Sequence, residues 1–314
     1  MIRQPNEIAD KDKKIRILIA GYPGIGKSTL ALSAPNPLHI DVDFGIDRIE
    51  PRYRKPFIQP KSYDEILEDL KPNNVKDFDT LVFDTGGKLI SLMSLWAIKK
   101  DPKYGQRDGS LSLKGYGFVG KEFVRLMDYC FYELNKHIVF TFHAIEEKDG
   151  DETRLRIKVE GQTKNNVWEP MDLGGFMEMH GNDRTIGFSN CERYFAKGTR
   201  GIKSVMKIPE LTPSTPNDFL ARLFEKYNAT ITQEIEENAK EMTAYEEVMA
   251  KGREIIASIK DADTANAAIP LVKSLNHALT SRQEFTVAFN KKITDLNLVF
   301  DKETNKYIEA INNV

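Results

Sequence analysis

Residues 15–29 read Ile15-Arg16-Ile17-Leu18-Ile19-Ala20-Gly21-Tyr22-Pro23-Gly24-Ile25-Gly26-Lys27-Ser28-Thr29. The first six form a β-branched, apolar run closed by glycine, which predicts a buried strand. The next nine match G-x-x-x-x-G-K-[ST], a loop whose glycines let backbone amides close around phosphate groups. A helical stretch from Ser28 follows, and Pro35 ends it because proline lacks an amide and clashes with the preceding turn. With a strand before it and a helix after it, the loop predicts a nucleoside triphosphate site. Gly21 to Thr29 would line the phosphates, with Lys27 reaching the β- and γ-phosphates and the Ser28 hydroxyl on magnesium.

Further strands are expected at Leu38 to Val42, at Thr80-Leu81-Val82-Phe83 and at His137 to Phe142, with helices at about 88–99 and 120–136. In the second helix Phe123, Val124, Met127, Cys130, Phe131 and Leu134 recur at three- and four-residue spacing and define a buried face. Strands alternating with helices predict a mostly parallel α/β sheet. After Glu147 come a charged, hairpin-like stretch and short strands near 185–189 and 193–196. From about residue 230 only helical patterns remain, as in 244–260 and 281–300. This gives an N-terminal arm over 1–14, a core over 15–228 and a helical appendage over 229–314. The appendage carries 14 acidic and 10 basic residues from 230 onward, a poor face for nucleic acid.

A phosphate loop needs a carboxylate on a neighbouring strand to hold hydrated magnesium. Asp84 follows an apolar strand and fits, and it can cap the next helix as well. In Ile40-Asp41-Val42-Asp43-Phe44-Gly45-Ile46-Asp47 the two acids are expected to face opposite ways. Asp43, nearer the carboxyl end, is the candidate base for water, with Asp41 or a structural pair as alternatives. His143 is expected to close the fourth strand, as a γ-phosphate sensor or as a structural histidine.

Composition bounds the rest. The 45 Lys+Arg against 47 Asp+Glu leave a formal charge of −2, which excludes a uniformly basic coat, so any nucleic-acid contact must be a local patch. Two cysteines, Cys130 and Cys191, are too few for a disulfide framework or a four-thiolate zinc site. No run approaches the roughly 18 apolar residues of a membrane span, and the first 14 residues are not signal-like. A soluble, cytoplasmic protein is expected.

GYPGIGKST, IDVDFGID, TLVFDTGG and VFTFH, in that order over about residues 15–210, resemble the RecA-like P-loop ATPases. Within them they are similar to phage nucleotide-binding proteins related to the single-strand annealing ATPases of phage recombination. The resemblance implies a RecA-like core that hydrolyses ATP with Mg2+, with Asp43 activating water and His143 sensing the γ-phosphate. It departs from the larger recombinases in having histidine where they usually carry glutamine, and aspartate in place of the longer glutamate; slow turnover is the expectation. It further implies self-association into a ring or filament in a bacterial host cell, if the chain is phage-encoded. Lys197 and Arg200 would then reach a neighbouring subunit's γ-phosphate, unless they are a solvated surface pair.

In such recombinases single-stranded DNA is held by loops after the third-strand helix and after the fourth strand. The first place here is 99–125, with seven basic and three acidic residues. Lys103, Arg107, Lys114 and Lys121 would track phosphates while Tyr116 and Phe118 stack bases; the alternative is a surface loop whose rings pack locally. The second, 148–168, has its Arg154, Arg156, Lys158 and Lys164 cancelled by acids. The leading expectation is an ATP-dependent single-strand annealing or recombination protein. The alternative is an ATP switch or loader for a replication or single-strand-binding protein partner, without DNA recognition. A small-molecule kinase is less favoured, since no arginine-rich lid follows the core.

Overall fold

The computed structural model describes residues 13–150, 152–159, 163–198 and 201–310. The described residues fall into two compact units, one over 13–230 and one over 231–310. Of the expected N-terminal arm only Lys13 and Lys14 are described, and the Lys13 carbonyl accepts a bond from the Asn228 amide (3.2 Å).

The elements run β1 (Arg16–Gly21), α1 (Lys27–Ala31), β2 (Pro37–Asp41), β3 (Phe57–Ile58), α2 (Tyr63–Asp69), α3 (Pro72–Val75), β4 (Thr80–Asp84), α4 (Gly86–Lys100), α5 (Leu113–Asp128), β5 (His137–Asp149), β6 (Glu152–Ile157), α6 (Thr163–Trp168), β7 (Leu173–His180), β8 (Asp183–Gly187), β9 (Val205–Lys207), α7 (Phe219–Ala257), α8 (Ala262–Lys273), α9 (Ser281–Asp295), β10 (Leu298–Asp301) and β11 (Lys306–Glu309). One sheet has the order β3-β2-β4-β5-β1-β7-β8-β9, with β6 paired to β5. From β3 to β7 every pairing is parallel, whereas β6, β8 and β9 run antiparallel. The fold is an α/β, mostly parallel P-loop NTPase core followed by a largely helical C-terminal part, as the RecA-like reading implied.

β5 lies between the strand that feeds the phosphate loop and the strand that ends in Asp84. Its central residues are therefore buried from both sides and read as an apolar run broken only by Thr141. Two glycines hid β7 from the sequence pattern, and packing requires them. A Cβ on Gly174 would lie 2.0 Å from the Trp168 ring, and one on Gly175 would lie 2.7 Å from Ile186. The segment expected as a strand at 193–196 makes only isolated bridges, Tyr194 to Leu155 and Lys197 to Gly174.

The expected helix over 120–136 starts earlier, at Leu113, because the Ser112 hydroxyl caps it by accepting the Gly115 amide (3.2 Å). It changes to a π-helical turn at Tyr129–Glu133, which shifts the buried face. Phe123, Met127 and Cys130 are buried, while Phe131 and Leu134 are half-buried. The second unit corrects the all-helical expectation. Its 281–300 helix stops at Asp295, Asn297 takes a positive φ of 52°, and β10 and β11 form an antiparallel hairpin turned at Asn305 (φ 54°). Asparagine tolerates that left-handed region better than most residues. Among the described residues no helix is long and apolar enough to cross a membrane.

The stretch expected to hold DNA is built into this packing. Phe118 stacks on Tyr104 (4.4 Å between centroids) and on Trp96 (5.8 Å), and Tyr116 also packs against the core. Both rings are thus withdrawn from base stacking. Lys103 pairs with Asp101 and lies over Tyr104, while Arg107, Lys114 and Lys121 stay exposed. A Cβ on Gly115 would sit 2.2 Å from the Tyr104 carbonyl oxygen, which the Ser112 amide holds in place (2.8 Å). Overpacking costs ~1–3 kcal/mol, and alanine recovers ~1 kcal/mol of helix propensity. Because the obstacle is fixed backbone, the upper end applies: Gly115→Ala should lower unfolding stability by about 2 kcal/mol in a urea titration.

Candidate functional site

Gly24 and Gly26 take φ values of 78° and 97°, a left-handed geometry that only glycine adopts cheaply and that lets successive amides converge on an anion. A Cβ on Gly21 would lie 3.0 Å from the Met177 carbonyl oxygen, so the loop leaves the sheet tightly. Lys27 is buried, and its Nζ donates to the carbonyls of Gly21 (3.0 Å) and Tyr22 (2.9 Å). Burial lowers the Lys27 pKa to about 8, against the raising pull of Asp84. The Tyr22 hydroxyl donates to Glu146 (2.7 Å), tying the loop to β5.

Asp84 is buried at the end of β4, level with Asp41 on β2. The Thr141 hydroxyl on β5 donates to Asp84 Oδ1, and His39 Nε2 on β2 lies 3.4 Å from Oδ2. Burial would raise the Asp84 pKa, but His39, the Ser28 hydroxyl and Thr141 together hold it below the ordinary carboxylate value. The carboxylate is charged at neutral pH. Ser28 and Asp84 thus meet across the sheet edge. The helix-capping role falls instead to Thr85, whose hydroxyl accepts the Lys88 amide (3.3 Å).

Asp41 and Asp43 separate for a reason other than alternation, since residues two apart on a strand share a face. β2 ends at Asp41 and the chain turns, with Phe44 at φ 52°. The Asp41 carboxylate accepts the amides of Gly45 (2.8 Å) and Ile46 (3.0 Å) and the Gln59 side chain (2.8 Å), so it is a fully committed turn residue. Asp43 lines a cleft of about 390 Å³ with Thr85, Lys88, His143 and Lys158, and accepts from Arg48 (3.2 Å).

His143 does not close its strand, because β5 continues to Asp149; it lies level with Gly21, the last residue of β1. Its pKa is lowered by burial first and by the Lys27 charge second, against the pull of Asp43 and Asp84. A largely neutral imidazole therefore faces the cleft. Its buried Nδ1 has no hydrogen-bond partner among the described residues.

Two neighbours escaped the sequence reading. His39 had a signal, as polar residues at 39 and 41 break an apolar strand. Arg184, on β8, had none. Its guanidinium carbon would lie 3.4 Å from a Cβ on Gly26, and its buried Nε has no hydrogen-bond partner among the described residues. Of the other predicted residues, Lys197 is exposed and donates to the Glu169 carbonyl (3.0 Å), while Arg200 lies outside the described residues.

The donors fit Mg·ATP. Left-handed glycines, a buried lysine and an orphaned arginine Nε suit phosphates, while a charged carboxylate beside a hydroxyl suits a hard cation. Among the described residues no cluster of three or more His, Cys, Asp or Glu side chains is placed to hold a metal. Magnesium would therefore depend on Ser28, Asp84 and the phosphates themselves.

Three outcomes follow from this geometry. Triphosphate affinity should fall as pH rises through about 8, because Lys27 loses its charge there; isothermal titration with a non-hydrolysable analogue should lose that slope in Lys27→Met. Ligand-free stability has the opposite sign: a depressed lysine pKa means the unfolded chain binds more protons between about 8 and 10.5, so stability gains with pH across that window. Arg184→Ala should weaken nucleotide binding by about 10–100-fold, the range for one charged hydrogen bond.

Comparison with known proteins gives a family and distant structural likenesses, among them two crystal structures. The crystal structure of the RadB recombinase is 12% identical, covers 55% of this chain and 79% of its own, and has a TM-score of 0.34. A KaiC-like protein from the hyperthermophilic archaeon Pyrococcus horikoshii is 11% identical, covers 55% and 77%, and has a TM-score of 0.30. No curated protein matches. The model of the AAA domain matches residues 13–200, more than half of the chain and all of the phosphate loop, β4 and β5. The chain therefore belongs to the AAA-domain family of P-loop ATPases.

Proposed function

We propose that this protein hydrolyses ATP and uses the cycle to act on single-stranded DNA in phage-type recombination or strand annealing. The observation that carries the hydrolytic part is the meeting of Lys27, Ser28 and Asp84 at one sheet edge, with Asp43 and His143 on the adjoining cleft. When bound, Mg·ATP supplies an electrophilic γ-phosphoryl group. Lys27 offsets the charge of the phosphates, and Ser28 with Asp84 holds the ion. Asp43, accessible in the cleft, accepts a proton from water or orients it. His143, uncharged, accepts or donates a hydrogen bond at the γ-position and passes the difference to the strand it sits on.

Support for the DNA part comes from the exposed Arg107, Lys114 and Lys121 on the same unit, since the acidic second unit offers phosphates little. Assembly into a ring or filament fits the reading, with Lys197 on an exposed segment as a candidate for reaching a neighbouring subunit.

Lys27→Ala should abolish turnover, and Asp84→Asn should reduce it at least 100-fold. Asp43→Asn should lower kcat by about 10²–10⁴ with the nucleotide Kd unchanged, the range for loss of a general base. Short single-stranded DNA should accelerate the wild-type ATPase and raise the assembled fraction in mass photometry. An active enzyme on which DNA changes neither rate nor assembly would transfer the reading to an ATP switch for a protein partner.

A further inference from the structure

A second cleft, of about 480 Å³, opens in the same unit between β6, α6 and the segment 193–197, lined by Arg156, Lys164, Trp168, Phe195 and Lys197. Its aromatic wall is a ladder: Trp168 stacks on Phe176 (6.0 Å) and Phe176 on Tyr194 (5.0 Å). Beyond the ladder stands Phe195, 51% exposed. An exposed phenylalanine on a floppy loop would mean little, but this one is pinned on both sides. The Leu155 amide donates to the Arg193 carbonyl (2.7 Å), and Gly174 and Lys197 exchange two backbone bonds (2.7 and 2.8 Å).

Charge is arranged around that ring. The guanidinium carbons of Arg154 and Arg156 lie 5.0 and 4.7 Å from the Phe195 centroid. Arg154 pairs with Glu152 (2.7 Å) and Lys164 with Glu147 (2.9 Å), whereas the Lys197 ammonium meets the Glu169 carbonyl and no carboxylate among the described residues. Three of the lining residues are cations and only Glu169 is an acid. Acids nearby in sequence make this stretch look neutral, but the fold turns Arg156 and Lys164 toward one cleft, where Lys197 joins them.

We propose that this cleft binds single-stranded nucleic acid, one base stacking on Phe195 or its guanidinium partners while Arg156, Lys164 and Lys197 hold the flanking phosphates. A flat exposed ring between cations suits a base-bearing polyanion. An acidic peptide would use the cations and leave the ring idle. The cleft also connects to the nucleotide site. Arg156 pairs with Ile145 across β5 and β6, and two residues on, the Lys158 amide donates to the His143 carbonyl (2.8 Å). Lys158 itself lines the cleft that contains Asp43 and His143. A strand gripped at Arg154 and Arg156 thus bears on the same two-stranded hairpin that carries His143. This coupling rests on the proposed ATPase reading; the binding itself does not.

The test is fluorescence anisotropy of a labelled dT20 oligonucleotide over a salt series, with ATPase rate measured in parallel. Phe195→Ala should weaken binding about tenfold, the range for loss of one stacked base, and Phe195→Trp should restore it. Lys197→Glu should weaken binding and lower the slope of log affinity against log salt by about 0.7 or more. Phe195→Ala and Phe195→Trp should keep the wild-type DNA-free ATPase rate, while Phe195→Ala and Lys197→Glu lose stimulation at limiting DNA. In Trp96→Phe, Trp168 is the remaining tryptophan, and its emission should be quenched by dT20. Wild-type binding that the Phe195 and Lys197 variants leave intact, or that poly-glutamate competes away as well as dT20 does, would overturn the cleft and leave the ATPase reading standing. An active ATPase that does not bind dT20 would overturn the cleft together with the DNA part of the proposed function, and an inactive protein that binds dT20 through Phe195 would overturn the ATPase part alone.

Discussion

A single buried carboxylate sets the terms for the rest of the core. Burying the Asp84 charge would be costly unless hydrogen bonds replaced its lost water. The hydroxyls of Thr141 on β5 and Ser28 in the phosphate loop donate to it, and the His39 ring on β2 lies 3.4 Å from its other oxygen. Each comes from a different element, so the carboxylate is satisfied only when β2, β4, β5 and the loop are all in place. The insertion of β5 between β1 and β4 then has an electrostatic reason, because it brings Thr141 beside Asp84 and His143 level with Gly21. A sheet with β1 and β4 adjacent would leave no strand to carry either group.

Beyond His143, β5 parts from β1 and pairs with β6 alone. One continuous strand therefore passes from the middle of the parallel sheet into an outlying hairpin. Backbone bonds transmit displacement along such a strand more stiffly than loose side-chain contacts do. The hairpin thus runs from the phosphate end of this unit to its basic, aromatic cleft, and the groups along it are few: His143, Lys158, Arg156 and Phe195.

How far the residues spoke for themselves depended on the range of the interaction. The phosphate loop, β1, β4 and Asp84 were legible because their signals are local: an apolar run, a glycine spacing, an acid at a strand end. β7 was not, since its glycines answer to Trp168 and Ile186, which no local window relates to them. Lys114, Tyr116 and Phe118 resemble a binding loop because cations and rings alternate with glycines, yet Ser112 caps a helix there, Phe118 stacks on Trp96 and Tyr104, and Tyr116 packs against the core. Arg184 reaches Gly26 only through the antiparallel turn of β8, and Phe195 meets its arginines across a bridge to β6. The β10–β11 hairpin was lost among helical neighbours because its strands are four residues each and its turns rest on two asparagines.

The carbonyls of Gly21 and Tyr22 give the Lys27 ammonium two partners inside the protein itself. A phosphate that approaches this lysine must therefore exchange contacts rather than simply add them, and the enthalpy released is the difference between two sets of bonds. Those two carbonyls offset only part of the cost of burying the ammonium, since burial still lowers its pKa to about 8, and a polyanion at the loop would supply the remaining compensation.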